Sequence, residues 1–192
     1  MLKNNKGGFT LVELLATMVI LGLIMVVAVP NVIGILSKNR ANTYVEDAKK
    51  MATLAEYQLR TGNNLIEKPS ANNCVVISLS YIDNSEFEDP PNGGEYLKDQ
   101  SFVVIKKDTG EFKYYVRLVE KFKDTNRGVK LTESSELYKE GAANSVVDNF
   151  TSSELISLSG MTTSDFKTKY SNAVSTIGCG DITKIYAYWH IS

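Results

Sequence analysis

Glu13 is the carboxylate whose surroundings most restrict what it can do. It sits one helical turn after Phe9, at the edge of a run from Leu14 to Ser37 that contains no charged residue. A carboxylate in lipid costs on the order of a few kcal/mol unless it is paired or near the interface. Its natural role there is ion pairing with an amine. Cleavage of the chain after Gly8 would supply one, the new α-amine of Phe9. A plainer alternative leaves Glu13 among lipid headgroups with no task, but it gives no reason for glycine, acid and apolar run to stand at this spacing. Other chemistry-bearing groups are scattered. Asp83, Glu86, Glu88 and Asp89 are close in sequence but match no EF-hand loop, so a solvated acidic loop is favoured over a cation site. Lys184, Tyr186, Tyr188 and His190 alternate along one stretch, a mixture usable for stacking single-stranded nucleic acid. A strand face covered by neighbouring chain is the favoured reading. Asn149-Phe150-Thr151 fits a glycosylation sequon that chance explains. His190 is the only histidine, and no nucleophile has a base placed for it by sequence. There is no phosphate-binding glycine loop or metal-ligand cluster. No catalytic residue, metal or cofactor is assigned.

The elements that position Glu13 follow from hydropathy. The leader, residues 1–8, carries Lys3 and Lys6 and no acid, and ends in Gly7-Gly8. A secretory signal places its apolar region before the cleavage site. Here the small-residue junction precedes the apolar region, so cleavage would leave that region on the mature chain. The uncharged run exceeds the roughly 20 apolar residues that span a bilayer. An uncleaved signal anchor remains the simpler alternative. Within the run, Pro30 removes a backbone donor and crowds the carbonyl of Val26, and Gly22 lowers helix propensity. The stretch between them is the weakest part of the helix.

Gly8-Phe9-Thr10-Leu11-Val12-Glu13 resembles the processing motif of type IV prepilins and of type II secretion pseudopilins, residue for residue. The resemblance covers about the first quarter of the chain. It implies cleavage after Gly8 and N-methylation of Phe9 by a prepilin peptidase. It implies that Glu13 pairs with the N-terminus of a neighbouring subunit and sets register in a filament. It also implies that the helix between Gly22 and Pro30 loses its form on assembly. The implied partners are copies of this chain and other pilins, the peptidase, a membrane platform protein, an assembly ATPase, and membrane lipid before assembly. The net charge of −1 gives no reason to add nucleic acid.

Beyond Leu36 the helical period persists. Ala41, Tyr44, Val45, Ala48, Met51, Ala52, Ala55 and Leu59 form one apolar stripe. Asp47 and the other charged residues are assigned mostly outside it. Glu46–Lys50 and Glu56–Arg60 are expected i,i+4 pairs. Gly62, Asn63 and Asn64 end a helix predicted from Phe9 to Thr61. The expected divisions are a leader over 1–8, a membrane or filament-core half over 9–36, an amphipathic half over 37–62, and a head over 63–192. In the head, Cys74–Ile82 reads as a strand or a short buried helix. Ser101–Lys107, a turn at Asp108-Thr109-Gly110, and a strand alternating Phe112, Tyr114, Val116 and Leu118 form a hairpin. A turn is expected at Asn126-Arg127-Gly128, with a short strand over Val129–Leu131. Short helices are expected near 152–158, from the capping-box spacing Thr151–Glu154, and over Thr163–Tyr170. Ile182–Ile191 is expected to be a strand with Trp189 in the core. The predicted class is α+β, an antiparallel sheet laid on the amphipathic half of a long N-terminal helix, as in the type IV pilin fold.

Cys74 and Cys179 are too few for a disulfide scaffold or a zinc site. In an exported head they can pair, and free exported thiols are a liability, so a disulfide stands ahead of two buried thiols. The resemblance leads to a non-enzymatic subunit, major or minor, of a type IV pilus-like surface filament. It is anchored once in the cytoplasmic membrane before assembly, with its head outside. A pseudopilin of a secretion or DNA-uptake system, and an anchored binding protein that never polymerises, are the competing readings.

Overall fold

The computed structural model describes residues 9–61, 65–82, 87 and 89–187. Gly8, Gly62, Asp83, Glu86, Glu88, Tyr188, Trp189, His190 and Ile191 lie outside the described residues, so the expectations placed on them stay at the level of sequence.

Helix α1 runs Leu11–Thr61 with Pro30 inside it. The chain divides into two compact units, residues 1–39 and 40–192. In the second unit, Tyr44, Val45, Ala48, Met51, Ala52, Ala55 and Leu59 are buried. They are the apolar stripe, since residues three and four apart share a helix face. Asp47 is buried with them and departs from its assignment to the polar face. Glu56 pairs with Arg60 at 2.6 Å. Glu46 pairs with Lys49 at 2.6 Å rather than with Lys50, whose ammonium lies 3.8 Å from Asp47.

Among the described residues, seven strands form one sheet: β1 Asn73–Ser78, β2 Glu95–Tyr96, β3 Phe102–Asp108, β4 Glu111–Phe122, β5 Thr125–Glu133, β6 Val146–Val147 and β7 Asp181–Tyr186. The order is β6-β5-β4-β3-β1-β7, with β2 also paired to β4. All pairs are antiparallel except β1 with β7, which is parallel. The β3–β4 turn is tight. Asp108 faces Glu111, and Thr109 and Gly110 both take positive φ, as a twisted two-residue hairpin requires. The next turn is not at Asn126-Arg127-Gly128. Phe122 faces Thr125, so Lys123-Asp124 makes the turn, with Lys123 at φ 53°. Gly128 lies within β5 for a different reason. A Cβ there would sit 2.0 Å from the Leu118 carbonyl oxygen, so only glycine permits this approach of β5 to β4.

Both faces of the sheet are covered, one by α1 and the other by residues between 156 and 179, as the covered-face reading of the last strand expected. Val75, Ile77, Val103, Ile105, Val116 and Leu118 pack with the α1 stripe. Cys74, Val76, Phe102, Val104 and Ile182 form a second core with residues of α2, Thr163–Lys169, and α3, Ser171–Ile177. A strand buried on both faces needs an uninterrupted apolar run, which is why 74–77 and 102–105 show no alternation. Thr162 and Asp165 cap α2 reciprocally, while α3 was not anticipated. The rings of Phe102, Phe166 and Tyr170 meet at centroid distances of 4.7 to 5.5 Å. Thr151 does donate to Glu154 from its backbone and its hydroxyl, but this opens a turn and no helix. In β7 the faces are reversed from the expected order. Tyr186 packs on the α1 side and Ile185 on the α2–α3 side.

A disulfide joins Cys74 of β1 to Cys179 just after α3, with Cα atoms 5.7 Å apart across a sequence separation of 105. Closing so long a loop restricts the unfolded chain by about 5 kcal/mol in the chain-entropy model. The double variant Cys74→Ala/Cys179→Ala is expected to lose about that much stability in guanidinium titrations of the detergent-solubilised chain. A loss within error of zero would show that this loop is already restricted in the unfolded state.

Candidate functional site

The first turn of α1 holds Glu13 in place. The Thr10 backbone amide donates to Glu13 Oε2 at 2.8 Å, and the Thr10 hydroxyl donates to the same oxygen at 2.9 Å. The Glu13 amide returns a bond to the Thr10 hydroxyl at 3.3 Å. This is a capping box, which satisfies amides that a helix start leaves without partners. Thr10 therefore positions the Glu13 carboxylate, which the reading of Glu13 alone missed, although the spacing Thr-x-x-Glu was visible. A Glu13 carboxylate near lipid thus has local donors before any amine approaches it.

Behind this turn, every large apolar side chain from Phe9 to Leu36 is exposed. The helix is long and apolar enough to cross a membrane, and none of its most apolar stretch is buried within the chain. Gly22 has open space around it. At Pro30 the ladder loses the donor for the Val26 carbonyl, and the helix continues. One residue on, the Asn31 side-chain amide donates to the Val27 carbonyl at 3.0 Å.

In the head, a polar cluster lies between the amphipathic half of α1 and the segment 92–96. Glu120 of β4 is fully buried. It accepts hydrogen bonds from the Tyr44 hydroxyl, from Asn92 Nδ2 at 3.0 Å and from the Gly94 amide at 2.9 Å. Asn92 also donates to the Tyr44 oxygen at 2.6 Å. Tyr96 donates to Asp47 Oδ2 at 2.5 Å. Burial first, and the neighbouring carboxylate second, push the phenols of Tyr44 and Tyr96 far above their ordinary range. Both therefore remain donors at all physiological pH. The helix position of Asp47, three after Tyr44 and four before Met51, placed it on the stripe. Nothing in the sequence marked Tyr96 as the partner of Asp47, or Glu120 and Asn92 as the partners of Tyr44. On the other face, Arg117 is buried, stacks 4.6 Å from the Phe150 ring, and donates to the Glu154 carbonyl at 2.7 Å. The Lys184–Tyr186 face offers no stacking platform, because Tyr186 is buried and its hydroxyl accepts from the Glu67 amide at 2.8 Å.

Residues 3–29 match the family description "Prokaryotic N-terminal methylation motif". The chain carries the prepilin-type signature. The matched stretch begins at residue 3 and ends just short of Pro30, so it includes the capped turn and most of the exposed apolar segment. The α+β architecture of a long apolar N-terminal helix and a mostly antiparallel sheet is consistent with the type IV pilin fold. No curated protein and no solved structure matches the chain.

Tyr44→Phe and Tyr96→Phe each leave a buried carboxylate short of one donor. Each is expected to destabilise the head by about 1–3 kcal/mol, measured by chemical denaturation. Combining Tyr44→Phe with Glu120→Gln should cost less than the two changes summed, because they share one bond.

Proposed function

We propose that this prepilin-type chain is a structural subunit of a type IV pilus-like surface filament. The observation that carries the reading is the uncovered apolar segment Phe9–Leu36 headed by the prepilin-type signature. Lipid covers that surface while the subunit waits as a single-pass membrane protein. Equivalent helices of neighbouring subunits cover it in the filament. The exchange needs little net hydrophobic energy, since both environments are apolar, so packing and polar contacts decide it.

Polar selectivity comes from Glu13. A prepilin peptidase cuts between Gly8 and Phe9 and methylates the Phe9 amine. The amine of one subunit then pairs with Glu13 of another and fixes their register. Thr10 keeps the carboxylate solvated by hydrogen bonds until that amine arrives. Between Gly22 and Pro30 the helix has the fewest reasons to stay helical, and this segment extends on assembly. A platform protein and an ATPase drive insertion. The large head, with its second core beneath α2 and α3 and its disulfide, suits display on a surface better than service as a small internal pseudopilin. No catalytic step is assigned to the chain.

Mass spectrometry of the mature chain should find N-methylated Phe9 at its terminus. An intact Met1 would instead fit an anchored protein that does not polymerise. Glu13→Ala should leave the chain in the membrane and lower its incorporation into sheared filaments by an order of magnitude or more, about the loss of one poorly solvated ion pair. Normal incorporation would remove Glu13 from its role. A filament reconstruction with unbroken helix density from Leu21 to Asn31 would remove the extension step.

A further inference from the structure

Beside the polar cluster, Arg40, Lys123 and Arg127 surround a cavity of about 360 Å³ whose wall also includes Phe122, Asp124 and Asn92. Three cations face one acid there. None of the three forms an ion pair among the described residues. Arg127 spends only its Nε donor, on the Asp148 carbonyl at 3.1 Å, and Lys123 lies 5.1 Å from the Phe122 ring. Three like charges gathered with a single counter-charge repel one another, so an anion in the cavity lowers their energy. A guanidinium presents paired N–H donors that match phosphate oxygens, and an ammonium adds a point charge.

The level of the cavity along the chain points to the source of the anion. Arg40 stands on α1 about one turn beyond Ser37, where the uncharged run ends. A helix that spans the bilayer over that run carries Arg40 to the headgroup layer. We propose that this cavity binds the phosphodiester of an anionic phospholipid headgroup and so holds the subunit head against the membrane before assembly. The proposal rests on the membrane-anchored state described above. Phe122 supplies an apolar wall for the glycerol carbons. Asp124 favours headgroups with a free hydroxyl to donate, such as phosphatidylglycerol.

The full chain in nanodiscs of phosphatidylcholine with a minor fraction of phosphatidylglycerol, ejected and weighed by native mass spectrometry, tests this. The wild-type chain should retain one phosphatidylglycerol in preference to phosphatidylcholine. Arg40→Gln, Lys123→Gln and Arg127→Gln should each weaken that preference about fivefold, the effect of one cation near a lipid surface. Arg40→Lys should keep most of it. Lys38→Gln, a change on the same helix to a residue that does not line the cavity, should leave it unchanged. An equal loss with Lys38→Gln would show diffuse attraction and overturn the site. So would the absence of any preference in the wild-type chain. Displacement of the lipid by inorganic phosphate at millimolar concentration would reassign the cavity to a free anion. If the chain fails to enter nanodiscs of either composition, the membrane-anchored reading falls and takes this proposal with it. If it enters without preference, only the cavity is misassigned.

Discussion

Removing apolar surface from water is worth roughly 25 cal/mol per Å², and the first half of α1 gains none of it within its own chain. From Phe9 to Leu36 every large apolar side chain is exposed. That surface needs lipid or other helices. The remaining features of the N-terminal unit follow from which cover it receives and when. A capping box between Thr10 and Glu13 closes the first turn of the helix. Gly22 lowers helix propensity and Pro30 removes one ladder bond, and the helix continues through both.

The second half of α1 meets the same constraint within the chain. Its apolar stripe is buried against one face of the sheet. Small residues at Ala48, Ala52 and Ala55 let the sheet approach closely, and the larger Tyr44, Met51 and Leu59 fill the space between. The price is two buried carboxylates, Asp47 and Glu120. Each is met by a tyrosine hydroxyl, so that no charge is left without donors. This polar seam fixes one arrangement of helix and sheet where an all-apolar contact would permit sliding. The disulfide and the α2–α3 layer do the same for the opposite face, by fastening the end of the chain to β1.

Much of this architecture was legible from local order. The 3.6-residue period named the buried apolar positions of α1 but not Asp47, and the turn chemistry of Asp108-Thr109-Gly110 placed the β3–β4 hairpin. The capping spacing at Thr10–Glu13 and Thr162–Asp165 also lies within single turns. At Thr151–Glu154 the same spacing closed a turn instead. A capping box stabilises a helix start but does not supply the apolar face that continues it. Gly128 misled for a related reason. Glycine marks both turns and close approaches, and only the Leu118 carbonyl opposite reveals which.

Sequence by itself determined the N-terminal element: a carboxylate at the head of an apolar helix within a prepilin-type signature, because those signals depend on neighbours a few residues away. Tertiary structure alone decided the parallel pairing of β7 with β1, the double burial of β1 and β3, and the partners of Asp47 and Glu120. It also decided which three cations share a cavity. Those are contacts between residues distant in sequence. A continuous apolar run records that a strand is covered on both faces, but it carries no information about which later segment covers it.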